Sequence, residues 1–268
     1  MKKDKAFFDA LYRRYNRPAL VSPDPLEFLH RWTDVRDREI AALIGACFAY
    51  GNVKAITKNL NSLFAGISSP RAYVLSATPV RLKKDFAGFK YRFTTQEQLC
   101  AFLLAIQQIL KEYGSLEACF IQGLSPQDES VCRALAHFAQ CLRAHGNIRS
   151  LVPDPAKGSA LKRLNLFLRW MVRQDEVDPG GWNVAPKLLV VPLDVHMHRC
   201  ARALELTRRN AADMKTALDI TRSLARFCPE DPVKYDFCIT RFGIRPDMDE
   251  EELIQSKKPA RKPTPRHQ

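Results

Sequence analysis

No run of apolar residues in this 268-residue chain approaches the roughly 20 that a helix needs to span a bilayer, so an integral helical membrane protein is excluded. The eight cysteines, at positions 47, 100, 119, 132, 141, 200, 228 and 238, include no CxxC pair and no tight grouping along the chain. Neither a zinc ribbon nor an iron–sulfur motif is therefore written in their spacing. Alternating runs of β-branched residues are nearly absent, and KLLVVPL (187–193) is the one strand-like piece. Acid is also scarce: 29 Asp and Glu stand against 42 Lys and Arg. Internal repeats of solenoid length are missing as well.

What is present fits a soluble globular protein with a real core, 46% hydrophobic and 26% charged. The amino terminus, MKKDKAFFDALYRRYNRP, carries charges where a signal peptide needs an apolar block. The expected location is the cytoplasm, or the nucleoid in a bacterium. Cysteines flanked as in AALIGACFAY read as buried free thiols of a reducing compartment. The formal net charge of +13 and a sequence pI near 9.5 favour a polyanionic partner, because neutralising phosphates releases condensed counterions. Composition alone leaves DNA, RNA and lipid open.

Proline and glycine punctuate the chain at RPALVSPDP, SSPRAY, VPDPAKGSA and VDPGGWNVAPK. Between them apolar residues recur at three- and four-residue intervals, as in REIAALIGACFAYGNVKAITKNLNSLFAGI, EQLCAFLLAIQQILKEYG, SVCRALAHFAQCLRAHG and LKRLNLFLRWMVR. The fold class is all-α. Thr95, Ser130 and Ser159 are the expected caps of three of these helices. The tail from Ser256, SKKPARKPTPRHQ, is basic and proline-rich and reads as disordered.

The stretch VVPLDVHMHR (190–199) admits two geometries. Run extended, it puts Asp194, His196 and His198 on one face, where they would grip the metal of a hydrolase. Run as a helix from Asp194, it parts the two histidines, since helical neighbours are three or four residues apart. The strong helix formers beyond residue 198 favour the second, with Asp194 as the N-cap and with Arg199 and Arg202 on one helix face.

The run VVPLDVHMHRCARALEL resembles the segment around the catalytic aspartate of the helix-hairpin-helix DNA glycosylase superfamily, with Val195 where a threonine is usual. ALDITRSLARFCPEDPVKYDFCITRFGI is similar to the superfamily's following helices, and REIAALIGACFAYGNVKAITKNLNSLF to its early helix pair. KRLNLFLRWMVR with DEVDPGGW behind it looks like a largely uncharacterised bacterial family within the superfamily. The resemblance implies a two-lobed helical bundle with a central cleft. One lobe would span about 37–145, the other 1–36 with 146–254, and a basic tail would follow at 255–268.

By the same resemblance Asp194 is the catalytic aspartate. At the usual distance upstream, RQDEVDP offers Asp175 and Glu176 but no lysine, and Pro179-Gly180-Gly181 stands in for the usual Gly-x-Gly hairpin. Archaeal oxoguanine glycosylases have a lengthened hairpin, and by that analogy Lys162 is the candidate nucleophile, with Lys187 a poorer one. Tyr50, Asn52, Lys54, Arg169, Arg173 and Arg199 become DNA-contact candidates. Trp170, Trp182 and His196 become base-pocket candidates, the tryptophans also reading as core. FKYRFTT (89–95) sets Lys90 and Arg92 around an aromatic, a pattern too common to weigh.

The implied activity is base-excision repair: an N-glycosylase, with or without AP lyase chemistry, acting as a monomer on damaged double-stranded DNA, with oxidised purines such as 8-oxoguanine as the substrate class. The expected cofactor and metal complement is none, because only Cys228 and Cys238 fall where relatives carry a four-cysteine cluster. Two alternatives remain: a non-catalytic DNA- or RNA-binding protein on the same fold, and the metal-dependent hydrolase.

Overall fold

The structure is a computed structural model, described for residues 3–148, 150–245, 247, 248 and 253. The expected disordered tail lies outside these residues. Among them the chain is all-α, and no helix is long and apolar enough to cross a membrane. The helices run in order α1 (Lys5–Tyr15), α2 (Val35–Cys47), α3 (Val53–Leu63), α4 (Pro70–Leu75), α5 (Pro79–Asp85), α6 (Gln96–Tyr113), α7 (Leu116–Gln122), α8 (Cys132–Ala144), α9 (Lys162–Val172), α10 (Val195–Ala203), α11 (Met214–Ala225) and α12 (Asp236–Ile244). A two-residue hairpin, β1 (Lys90–Tyr91) with β2 (Thr94–Thr95), pairs Lys90 with Thr95 and Tyr91 with Thr94.

Side-chain caps fix most helix starts. Asp34, Asn52, Ser69, Thr78, Ser115, Asp194 and Asp213 each accept an amide of the first turn. Thr95 forms a reciprocal capping box with Gln98. Two expected caps differ. α8 begins behind Val131, with Ser130 one residue earlier still accepting the Cys132 amide at 3.5 Å, and α9 begins behind Leu161, whose φ of 46° turns the chain sharply into the helix. Ser159 instead pairs through its backbone with Asp213.

KLLVVPL is not a strand. Residues Pro186–Leu188 form a 3-10 turn, and the extended run after it lies buried among helices with no strand beside it. The hydroxyl of Thr221 there accepts the Val191 amide at 3.0 Å. Apolar burial drives the extension where the sequence pattern suggested pairing.

α2 is buried on nearly every face from Glu39 to Cys47, as expected of a helix apolar all round. It packs on α9, on the turn Pro25–Arg31 and on α4 and α7. Helices α4 to α8 pack mainly on one another, while α12 is covered by α1 and α10. The buried apolar side chains form one continuous cluster.

One acid sits inside α2. Glu39, 0% exposed, accepts the Leu116 and Glu117 amides at the mouth of α7 (3.1 and 3.2 Å) and the Trp182 indole N–H (3.0 Å), with Arg36 at 3.1 Å. Burial pushes its carboxyl above the usual range while these donors pull it back.

Candidate active site

Asp194 follows the buried run Leu189–Leu193, and Pro192, with no amide to offer, precedes it by two residues. Its Oδ1 accepts the Met197 amide at 2.9 Å as the N-cap of α10. Its Oδ2 lies 3.3 Å from Nζ of Lys162, the first residue of α9, with the two side chains 19% and 32% exposed. The N-cap bond fixes one carboxylate oxygen and leaves the other for the lysine.

The pair forms part of the wall of a cavity of about 650 Å³. Tyr50, Asn52, Arg163, His196, Asp236 and Arg241 also line it. Asp236, the first residue of α12, is 2% exposed. Its Oδ2 accepts from Arg169 Nη1 at 2.7 Å while its Oδ1 has no partner. Burial raises its carboxyl to about 6, and the neighbouring charge of Asp194 pushes the same way against Arg169. His196 Nδ1 is likewise buried without a partner. Arg241 Nε is a third, and since buried polar atoms without partners are rare in folded chains, three on residues of one cavity wall mark it as a place for a polar ligand or water.

Tyr50 is held by Thr94 Oγ1 at 2.7 Å and by the Tyr91 carbonyl at 3.3 Å. The guanidinium of Arg163 lies 5.3 Å from its ring centroid, anchored on the Cys47 and Ser150 carbonyls, both at 2.8 Å. Phe93, at the hairpin tip and 67% exposed, stacks on Tyr50 with centroids 5.6 Å apart and planes 11° apart. Beside this stack Gly51 has a φ of 103°, and any Cβ there would press within 3.2 Å of Arg92 and the Tyr91 hydroxyl. Asn52 caps α3 through a 2.8 Å bond from the Ala55 amide. Lys54 is exposed in the first turn of α3, and Arg199 is exposed on α10.

Several candidates are enclosed in the core or fall elsewhere, Arg169 reaching the cavity wall from within. Arg169 and Arg173 face inward, each 3% exposed. Arg169 binds Asp178 and Asp236 at 2.7 Å. Arg173 binds Asp175 and Asp231, both at 2.9 Å, and Asp178. Two guanidiniums thus meet four carboxylates: burial outweighs the arginines and lifts Asp231 and Asp236, whereas at Asp175 the charge of Arg173, then two backbone donors and the Tyr12 hydroxyl, outweigh burial and lower the carboxyl to about 2. Neither arginine is available to a phosphate.

Trp170 is fully buried, and Trp182, 5% exposed, packs on Phe120 and Phe167. Both belong to the core: α9 carries Trp170 against α2, and the 179–183 loop brings Trp182 in from the other side. The Gly180 and Trp182 amides are consumed by the Trp170 and Met171 carbonyls, and Arg38 takes the Pro179 and Gly180 carbonyls, so this glycine loop is closed on itself. Lys187 is exposed and does not line the cavity.

The metal reading of Asp194, His196 and His198 fails on geometry. The segment is helical from Val195, and His198 Nε2 pairs with the Arg209 carbonyl at 2.9 Å. Among the described residues, the one His, Cys or carboxylate group close enough to share an ion is Cys119, His137 and Cys141, away from this cavity.

Asp236, Arg163 and Phe93 were not singled out from the sequence. An acid opening an otherwise apolar helix, DFCITRFGI, is the signal that marks Asp236. Nothing in the sequence marks Arg163, whose partners are backbone carbonyls.

No curated protein and no solved structure matches the chain. The profile of a family described as "Protein of unknown function (DUF2400)" matches residues 24–245, a span that includes Lys162, Asp194, Asp236 and the whole cavity wall. The chain belongs to the DUF2400 family.

Proposed function

We propose that the protein is a DNA N-glycosylase of the helix-hairpin-helix type with lysine-dependent AP lyase activity, acting as a monomer on double-stranded DNA that carries an oxidised purine such as 8-oxoguanine. The observation that carries this reading is the Lys162–Asp194 pair, 3.3 Å apart on the wall of a cavity of about 650 Å³. That volume is within the range of roughly 300–1,000 Å³ typical of small-molecule sites, and an extruded nucleotide is such a ligand. The net charge of +13 supports a polyanionic partner.

In this reading Asp194 Oδ2 takes a proton from the Lys162 ammonium, freeing the amine lone pair. The amine attacks C1′ of the flipped nucleotide, the C1′–N bond breaks, and the base leaves with its electron pair and takes up the proton held on Asp194, restoring the carboxylate. The Asp194 carboxylate stabilises the positive charge that develops at C1′, where a half-buried anion acts more strongly than in water. Opening of the sugar ring gives a Schiff base between Lys162 and C1′. β-Elimination then breaks the C3′–O bond, and hydrolysis returns the free lysine. Asp236, with an unpartnered oxygen, supplies a polar contact to a base edge. Tyr50 and Phe93 form an exposed aromatic step beside the cavity, and base–aromatic stacking contributes about 1–3 kcal/mol per base.

The test is borohydride trapping on end-labelled duplexes carrying 8-oxoguanine, uracil or an abasic site. The wild-type chain is expected to give a covalent complex that Lys162→Gln abolishes and Asp194→Asn strongly reduces. A second reading, a non-catalytic DNA- or RNA-binding protein on the same fold, is favoured by the closed Gly180–Gly181 loop. Tight binding to every duplex with no trapped complex and no base released would select it.

A further inference from the structure

Away from the cavity, two helices bring metal-ligating side chains together. His137 and Cys141 are four residues apart on α8 and so share one face. Cys119 on α7 meets them, and the ligand atoms of all three lie within 4.8 Å of one another. Cys141 Sγ lies 3.6 Å from His137 Nε2. With Zn–S of about 2.3 Å and Zn–N of about 2.0 Å, a tetrahedral ion holds adjoining sulfur and nitrogen ligands about 3.6 Å apart. This edge of the site already has the spacing of a coordinated pair, and the remaining ligand atoms need only sub-ångström to ångström adjustments.

The backbone is shaped to allow this meeting. Gly123, four residues beyond Cys119, stands at the end of α7 where a Cβ would lie 2.7 Å from the Ala134 Cα and 2.8 Å from the His137 Cβ. Any other residue would force α7 off α8 at the turn that carries His137. The last residue of α6, Tyr113, adds a hydroxyl 3.8 Å from Cys141 Sγ. Cys119 is fully buried, while His137 and Cys141 are half-buried, so an ion can enter from one side and keep a solvent-facing fourth position.

We propose that Cys119, His137 and Cys141 bind a single borderline-soft divalent ion, with zinc as the natural occupant and water as the fourth ligand. Two sulfurs and one imidazole are a donor set that disfavours magnesium and calcium, which take oxygen. On binding, the two thiols each release a proton, the imidazole binds in its neutral form, and the two thiolates neutralise the dication. The ion clamps α7 to α8 and links metal supply to stability, because a ligand bound only by the folded chain stabilises it. The site stands independently of the Lys162–Asp194 pair.

The test uses the full chain, purified with and without chelator and titrated with cobalt(II) and zinc. One cobalt per chain is expected to give the intense visible bands and thiolate charge-transfer absorption of a tetrahedral sulfur-ligated ion, and zinc should displace it and raise the melting temperature. Cys141→Ser and His137→Gln, both at half-buried positions, are expected to abolish the absorption, while Cys132→Ser retains it. Zinc should also slow alkylation of Cys141 in the wild-type chain, a readout that needs no variant. Absence of cobalt absorption together with unprotected Cys141 would overturn the proposal. So would metal binding that survives both ligand substitutions, or a Cys119–Cys141 disulfide in the purified chain.

Discussion

The two ends of α9 put the same kind of interaction to opposite use. At its first residue Lys162 meets Asp194 on the wall of an open cavity, with both side chains in partial contact with water. About two and three turns farther on, Arg169 and Arg173, each 3% exposed, meet four aspartates, of which Asp178 and Asp236 are fully enclosed and Asp175 and Asp231 lie at the edge of the cluster. The inner cluster is satisfied by multiple bonds and holds α9, the 175–178 turn and α12 in register. The outer pair is a single contact, and the lysine is free to exchange its partner for a ligand. A charge becomes a tool where its bonding is incomplete, as at Lys162 and at the unpartnered Oδ1 of Asp236, and a fastener where its bonds are taken, as at the two arginines.

The comparison breaks most visibly at its inner end. Arg169→Met leaves Asp236 without its counter-ion and Asp178 with Arg173 alone, and removing one partner of a buried pair costs about 3–5 kcal/mol. A urea melt at neutral pH should lose most of its midpoint, and retention of wild-type stability would show that the cluster does not fasten α9. Next comes pH. The folded chain holds a proton on Asp236 up to about 6, whereas the ordinary carboxyl value is 3.8. The folded state therefore binds more protons between those values, and this group's contribution to stability falls as pH rises through the window. Asp175, lowered to about 2, acts in the opposite sense below 3.8, its contribution being lost as pH falls toward 2. Urea midpoints of wild type and Asp236→Asn should diverge between pH of about 4 and about 6, and parallel curves would remove the proton from Asp236.

At the outer end the effects on stability are smaller. Asp194→Ala removes the N-cap of α10 at a cost of about 0.5–2 kcal/mol, whereas Asp194→Asn keeps the cap and loses only the charge. Thermal melts should rank them in that order. Lys162→Gln breaks a half-exposed pair, so its cost stays below about 1 kcal/mol. A far larger loss from Lys162→Gln would make the outer pair a fastener too and erase the contrast.

Local chemistry made part of this arrangement readable in the sequence. The helical periodicity gives the fold class, and the proline before an acid and a string of helix formers gives the cap at Asp194. Lys162 came by analogy, and its meeting with Asp194 depends on α9 and α10 converging, which no spacing encodes. Arg169 and Arg173 show the limit well. A four-residue spacing tells that two arginines share a face, but their partners at 178, 231 and 236 come from other segments, so the face that looked free for phosphate is the most enclosed. The same holds for Cys119, His137 and Cys141: only the i, i+4 pair is local, and the third ligand arrives on another helix. KLLVVPL looked like a strand because buried extended chain and buried strand have the same composition.

Glu39 has a consequence for how the chain is made. Its acceptor bonds reach 77, 78 and 143 residues along the sequence, and contacts of such separation form late and slowly. While the ribosome is still adding residues before Leu116, α2 carries a carboxylate with Arg36 as its one nearby partner in the final arrangement. The central helix cannot take its enclosed place until α7 has emerged, and its setting is complete only when Trp182 arrives. Assembly of this core is therefore timed by the second half of the chain, and a fragment ending before Trp182 should leave α2 exposed to protease.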